Sequence, residues 1–125
     1  MIRYVLIALG AMLGANARYL VGVWAGDRLG ASLPYGTFIV NVTGSFALGL
    51  LTALAASRLN VSNEVRLFFA VGFLGAYTTF SSYAVESLAL ARAGSFWFAL
   101  INILANNLIG LVAALLGIWT ARLLG

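Results

Sequence analysis

The chain has 125 residues, 63% of them hydrophobic and 8% charged, with neither cysteine nor histidine, and its mean hydropathy is +1.05. Ordinary soluble domains carry roughly 25% charged residues, so lipid is the expected solvent; disulfide and thiolate chemistry are excluded, as are the commonest metal ligand and proton shuttle. The net charge of +4 comes from arginine and is scattered over the ends of apolar runs, which leaves no nucleic-acid-binding patch.

Four stretches reach the roughly 20 apolar residues that a membrane crossing needs: 4–26, 33–56, 67–91 and 93–121. The connections between them are too short to fold separately, so residues 1–125 read as a single transmembrane domain. Arg3 precedes the first run as it would in a signal peptide, but the run is too long and three similar ones follow. Asn41-Val42-Thr43 and Asn60-Val61-Ser62 match the glycosylation pattern by chance, the first lying inside a span. Arg3, Arg58, Arg66 and Arg122 fall on one side of the membrane and Arg28 and Arg92 on the other, with Arg18 embedded close to it. So weak a bias fits insertion in both directions and an antiparallel dimer, or a single orientation with the N-terminus inside. Tyr4, Trp24, Tyr35, Trp97 and Trp119 stand where interfacial rings sit, and Pro34 opens the second span, where its missing N–H costs little.

In the first span Gly10, Gly14, Arg18, Gly22 and Gly26 recur every four residues, a stripe of low bulk that predicts close helix contact. Arg18 either snorkels to the membrane surface or draws anions toward a pore mouth. Thr37, Asn41, Ser45 and Gly49 make one face of the second span small and polar; Asn41 either bonds a neighbouring helix or offers its N–H groups to an anion. In the third span, the run Gly72-Phe73-Leu74-Gly75-Ala76-Tyr77-Thr78-Thr79-Phe80-Ser81-Ser82-Tyr83 is a poor helix centre. It reads as a broken helix, whose freed backbone groups line a cavity or bind an ion, or as an intact one with hydroxyls bonded to the preceding turn. Phe80 and Tyr83 share a face, as do Ser82 and Glu86; ring edges carry partial positive charge and can stabilise an anion. Glu86 is expected to hold an interfacial or hydrogen-bonded structural place. In the fourth span Asn102, Asn106 and Gly110 are spaced by four, with Asn107 alongside, so these amides are expected to face other helices or water.

Three segments in this order resemble the Fluc/CrcB family of fluoride channels, a likeness covering nearly the whole chain. Gly14-Ala15-Asn16-Ala17-Arg18-Tyr19 resembles the family's glycine-rich opening with its arginine. Gly36-Thr37-Phe38-Ile39-Val40-Asn41-Val42-Thr43-Gly44 resembles its second-span signature. Gly72 to Ser81 resembles its broken third helix, the most specific of the three. The resemblance implies an all-α integral membrane protein of four transmembrane helices, the third broken mid-membrane, assembled as an antiparallel dual-topology homodimer in the bacterial inner membrane. It implies passive, fluoride-selective export that protects the cell from fluoride toxicity, through two pores per dimer, with a structural sodium ion at the dimer interface. By position, the backbone carbonyls of Gly75 and Thr78 would hold the sodium. Asn41 would line the pore, Phe80 and Tyr83 would form an aromatic pair, Thr79, Ser81 and Ser82 would continue it as a polar track, and Arg18 would sit near a vestibule. Two departures stand out. Tyr83 replaces the family's usual phenylalanine, which brings a phenol hydroxyl; and where relatives offer a fourth-helix hydroxyl this chain has Leu111, with Asn107 one turn earlier as the candidate pore residue.

Fluoride is small and tightly hydrated, so conduction requires donors that replace water without trapping the ion; amides, hydroxyls and ring edges meet that demand. No residue set resembles a nucleotide site, a nucleophilic triad or a catalytic metal site, and no enzyme activity is expected. The alternative is a small multidrug-type, proton-coupled exporter, which uses a carboxylate in its first helix. This first span carries Arg18 and no acid; Glu86 is the acid within a span.

Overall fold

In lipid every backbone N–H and C=O must be paired within the protein, so long apolar runs fold as helices. The computed structural model of the chain, which describes residues 1–57 and 61–124, has four helical spans long and apolar enough to cross a membrane: Ile2–Leu29, Tyr35–Ala56, Asn63–Arg92 and Phe96–Leu124. We number the helices α1 (Ile2–Leu29), α2 (Tyr35–Ala56), α3 (residues 63–77), α4 (Phe80–Arg92) and α5 (Phe96–Leu124). Arg58 and Asn60, counted above in the charge bias and in a glycosylation pattern, lie outside the described residues.

The third span starts four residues earlier than hydropathy indicates, because Ser62 caps it: its Oγ accepts the Val65 N–H at 3.3 Å. At the other ends, α1 stops at Gly30 and α4 at the turn containing Gly94, both with φ of 82°, a backbone that side-chain-bearing residues rarely adopt. Tyr4, Trp24, Trp97 and Trp119 are exposed near span ends, as interfacial rings should be.

Helices in lipid associate by close packing rather than by hiding apolar surface from water, and here glycines set the distances. Gly10 and Gly14 on α1 lie against the backbone of Phe68 and Phe73 on α3, and Gly72 answers from α3, where a methyl group would come within 2.6 Å of the Ile7 carbonyl oxygen. Gly49 and Gly117 do the same for α2 against α5, meeting the carbonyl groups of Ala114 and Phe46. The stripe foreseen on α1 therefore divides. Gly10 and Gly14 face α3, whereas a methyl group on Gly22 or Gly26 would meet nothing within 4 Å, because both border an open recess; the Gly22 backbone is nevertheless met by α2, where a methyl group on Gly36 would come within 2.8 Å of the Gly22 Cα. The interior is correspondingly built from small side chains such as Ala25, Ala99, Ala113 and Ala121, and Val40 is the largest one fully buried.

Two departures from regular α-helix position the site. Arg66–Leu74 in α3 and Ala105–Ile109 in α5 wind as π-helix, a rare geometry that tends to mark functional places; the second contains Asn106 and Asn107. More drastic is the break between α3 and α4, where Thr78 (φ −85°, ψ 159°) and Thr79 (φ −152°, ψ 120°) are extended. The third span is broken, as the resemblance implied and as composition alone left open.

Candidate functional site

An extended pair of residues inside a membrane span leaves backbone groups that only protein or an ion can satisfy. At Thr79 the second span supplies the partner. The Asn41 Oδ1 accepts the Thr79 N–H at 2.8 Å, and the Asn41 Nδ2 donates to the Thr79 carbonyl at 3.0 Å. One carboxamide thus serves both polar groups of one residue, as a neighbouring strand would. Its second N–H goes to the Asn106 Oδ1 at 2.9 Å, and Asn106 in turn donates to the Asn102 Oδ1 and carbonyl, both at 3.0 Å. The chain continues from the Asn102 Nδ2 to the Ser87 Oγ at 2.9 Å, and from the Ser87 hydroxyl to the Tyr83 carbonyl at 2.8 Å. Asn41, Asn106 and Asn102 therefore tie α2 and α5 to Thr79 at the break and to α4 beyond it. As they stand, both N–H groups of Asn41 are spent on protein acceptors.

Beyond the break, Thr79 caps α4: its Oγ1 accepts the Ser82 N–H at 3.2 Å and donates to the Ser82 Oγ at 3.0 Å. Ser81 lies beside it, its Oγ 3.5 Å from that of Thr79. Phe80 and Tyr83, one turn apart, meet edge to face with ring centroids 5.3 Å apart. The Phe80 ring is largely exposed. Asn107 donates to the Tyr83 hydroxyl and to the Ile103 carbonyl, both at 2.8 Å. Ahead of the break, Thr78 turns its hydroxyl onto the Leu74 carbonyl at 3.0 Å, and the Arg18 Nη1 stands 3.5 Å from the Thr78 carbonyl oxygen. Arg18 is therefore turned toward protein at the break.

Two recesses meet at Thr79. One, of about 250 Å³, is lined by Asn41, Thr78, Thr79, Phe80, Tyr83 and Asn107 among others. The second, of about 400 Å³, has Arg18, Gly22, Gly36, Thr37, Thr79 and Ser82 in its wall. The sequence-predicted residues are thus brought together, except that Ser81 and Gly75 line neither recess. Leu111 is 65% exposed, away from both. Beyond Thr37, a further recess of about 480 Å³ holds Glu86, whose Oε1 accepts the Thr37 hydroxyl at 2.8 Å; Glu86 is thus hydrogen-bonded, as expected. Sequence reasoning missed Asn106, Asn102 and Ser87 as a relay behind the break. The spacing of four between Asn102 and Asn106 was the available signal for the first two; for Ser87 there was none.

Comparison with known proteins decides the family. The family described as "CrcB-like protein, Camphor Resistance (CrcB)" matches residues 5–118. The chain belongs to the CrcB family. Members similar to it include proteins of Roseiflexus sp. strain RS-1, 47% identical over 94% of this chain and 95% of the relative, and of Solibacter usitatus, 47% identical over 96% and 98%. A third, from Agrobacterium fabrum, is 42% identical over 98% of each. All three carry the name fluoride-specific ion channel FluC. With four spans and this CrcB kinship, the chain is a multi-pass bacterial membrane protein.

Proposed function

We propose that this protein is a subunit of a channel that lets fluoride leave the cell passively, down its electrochemical gradient. The observation that carries the reading is the broken third span of a CrcB-family chain, with amides, hydroxyls and ring edges gathered at the break and full positive charge confined to Arg18. An anion that gives up its water needs such donors, weak enough singly to release it again. In this reading the protein is no enzyme. Asn41, Phe80, Tyr83 and Asn107 line the passage on one side of Thr79, and Ser82 continues it on the other. Arg18 draws anions toward a vestibule by its field. Since Asn41 already gives both N–H groups to Thr79 and Asn106, it donates to a passing ion by exchanging one of those bonds rather than by filling an empty valence.

The single transmembrane domain works as an antiparallel homodimer with two passages. A structural sodium ion at the two-fold axis fits the chemistry of the break. In an unbroken helix the Thr79 N–H would go to the Gly75 carbonyl, but here it goes to Asn41, and among the described residues the Thr78 carbonyl has just the long contact with Arg18. Carbonyl oxygens suit a hard cation, and two from one chain are too few, so a second copy related by the two-fold would supply the matching pair. There sodium would add fixed positive charge and tie the two broken helices together, with Arg18 releasing the Thr78 oxygen.

The test is efflux from liposomes holding the purified protein, read by a fluoride electrode with chloride followed in parallel. Rapid fluoride release with little chloride release supports the reading. Well-folded protein that passes no fluoride overturns it and returns attention to a carboxylate-coupled exporter built on Glu86.

A further inference from the structure

The hydroxyls around the break differ in what becomes of their protons. Thr37 gives its proton to Glu86, Thr78 to the Leu74 carbonyl and Ser87 to the Tyr83 carbonyl. Tyr83 is arranged the other way round: its hydroxyl oxygen accepts the Asn107 Nδ2 at 2.8 Å, and its own proton has no acceptor among the described residues. Asn107 is not free to move away, because its second N–H is committed to the Ile103 carbonyl at 2.8 Å within its own helix. The Tyr83 ring is held in turn by the edge-to-face contact with Phe80. Both Tyr83 and Asn107 border the 250 Å³ recess beside Thr79.

We infer that Tyr83 is a fluoride-binding residue that acts through its phenol O–H, and that Asn107 is the positioning residue that keeps the oxygen occupied so that the proton is the group offered. A hydroxyl that already accepts one hydrogen bond is a stronger donor, since linked bonds polarise one another. Charge-assisted O–H donors are short and strong, and fluoride, the smallest halide, gains most from one. Asn107 alone is a poor ligand, because both its N–H groups are spent on protein oxygens; its effect on the ion passes through Tyr83. This inference rests on the channel reading above and names which atom sets the ion's affinity within it.

The experiment compares the full-length protein with Tyr83→Phe, Asn107→Leu and the double variant. Each is purified as the dimer and reconstituted, and efflux is followed over a range of fluoride concentrations with chloride flux alongside. Tyr83→Phe should leave the yield of dimer unchanged and raise the half-saturating fluoride concentration about tenfold, the size expected when one hydrogen bond to an ion is lost. Asn107→Leu should raise it less, and should add nothing on top of Tyr83→Phe. A merely structural role for either residue would lower the amount of folded dimer without moving the half-saturation. The inference is overturned if Tyr83→Phe has the parent's half-saturation, or if Asn107→Leu costs as much on top of Tyr83→Phe as it does alone. A parent protein that passes no fluoride overturns the channel reading together with it, whereas a parent that passes fluoride beside an unaltered Tyr83→Phe overturns this inference alone.

Discussion

The seam between α1 and α3 and the junction around Thr79 lie along the same span, yet they are held by opposite means. At the seam, Gly10, Gly14 and Gly72 bring two backbones into contact, and shape alone fixes the geometry. At the junction the backbone is extended, and the Asn41, Asn106 and Asn102 amides hold it. The difference teaches how a membrane protein tolerates a broken helix: rigid, dry contacts on one half of the span allow the other end of that half to be held by exchangeable hydrogen bonds. Exchangeable bonds are what a passing anion requires.

The sharpest way to break the comparison is to add bulk to the seam. Gly14→Leu puts a side chain where even a methyl group would overlap the Phe73 backbone, and backbone cannot yield as a flexible side chain does. We expect no folded protein to be recovered, judged by gel filtration in detergent. Recovery of parent-like folded protein would mean that the seam is looser than these contacts require. Next in size, Phe80→Ile removes the edge-to-face partner of Tyr83 without touching charge or any hydrogen bond. The ring is exposed, so folding should survive, with thermal stability within about 1 kcal/mol of the parent, while fluoride efflux drops severalfold. Near-parent efflux would remove Phe80 from the passage. Smallest of all, Gly26→Ala should change neither the yield of folded protein nor efflux, because its methyl group meets nothing within 4 Å. A clear loss would show that the recess beside Gly26 is filled in the assembled protein.

The legibility of the sequence followed the same divide. Spans were readable because hydropathy over some twenty residues is a property of the run itself, and all four overlap the runs it marked, with ends displaced by a few residues. Even the helix break was visible as a weak centre in Gly72 to Tyr83, although the choice between broken and intact needed the resemblance. Individual glycines were less readable: Gly10, Gly14, Gly22 and Gly26 share one spacing, but contact or open recess depends on where α2 and α3 cross α1. Least readable was the relay through Asn106, Asn102 and Ser87. Its members lie on two helices, and the bond from Asn41 to Asn106 spans 65 positions in the chain, so the spacing of Asn102 and Asn106 marked a polar face but not its partners. The π turns over Ala105–Ile109, which shift the register of Asn106 and Asn107, leave no compositional mark.

The central claim is that fluoride passes the broken span beside Asn41. The measurement that addresses it most directly is fluoride efflux by Asn41→Asp, reconstituted beside the parent at equal amounts of folded protein. A carboxylate keeps an acceptor for the Thr79 N–H but sets negative charge in the path of an anion and against the oxygens of Thr79 and Asn106. The account predicts that efflux falls to the level of empty liposomes at neutral pH, with the fold intact; undiminished efflux would contradict it and move the passage away from Asn41.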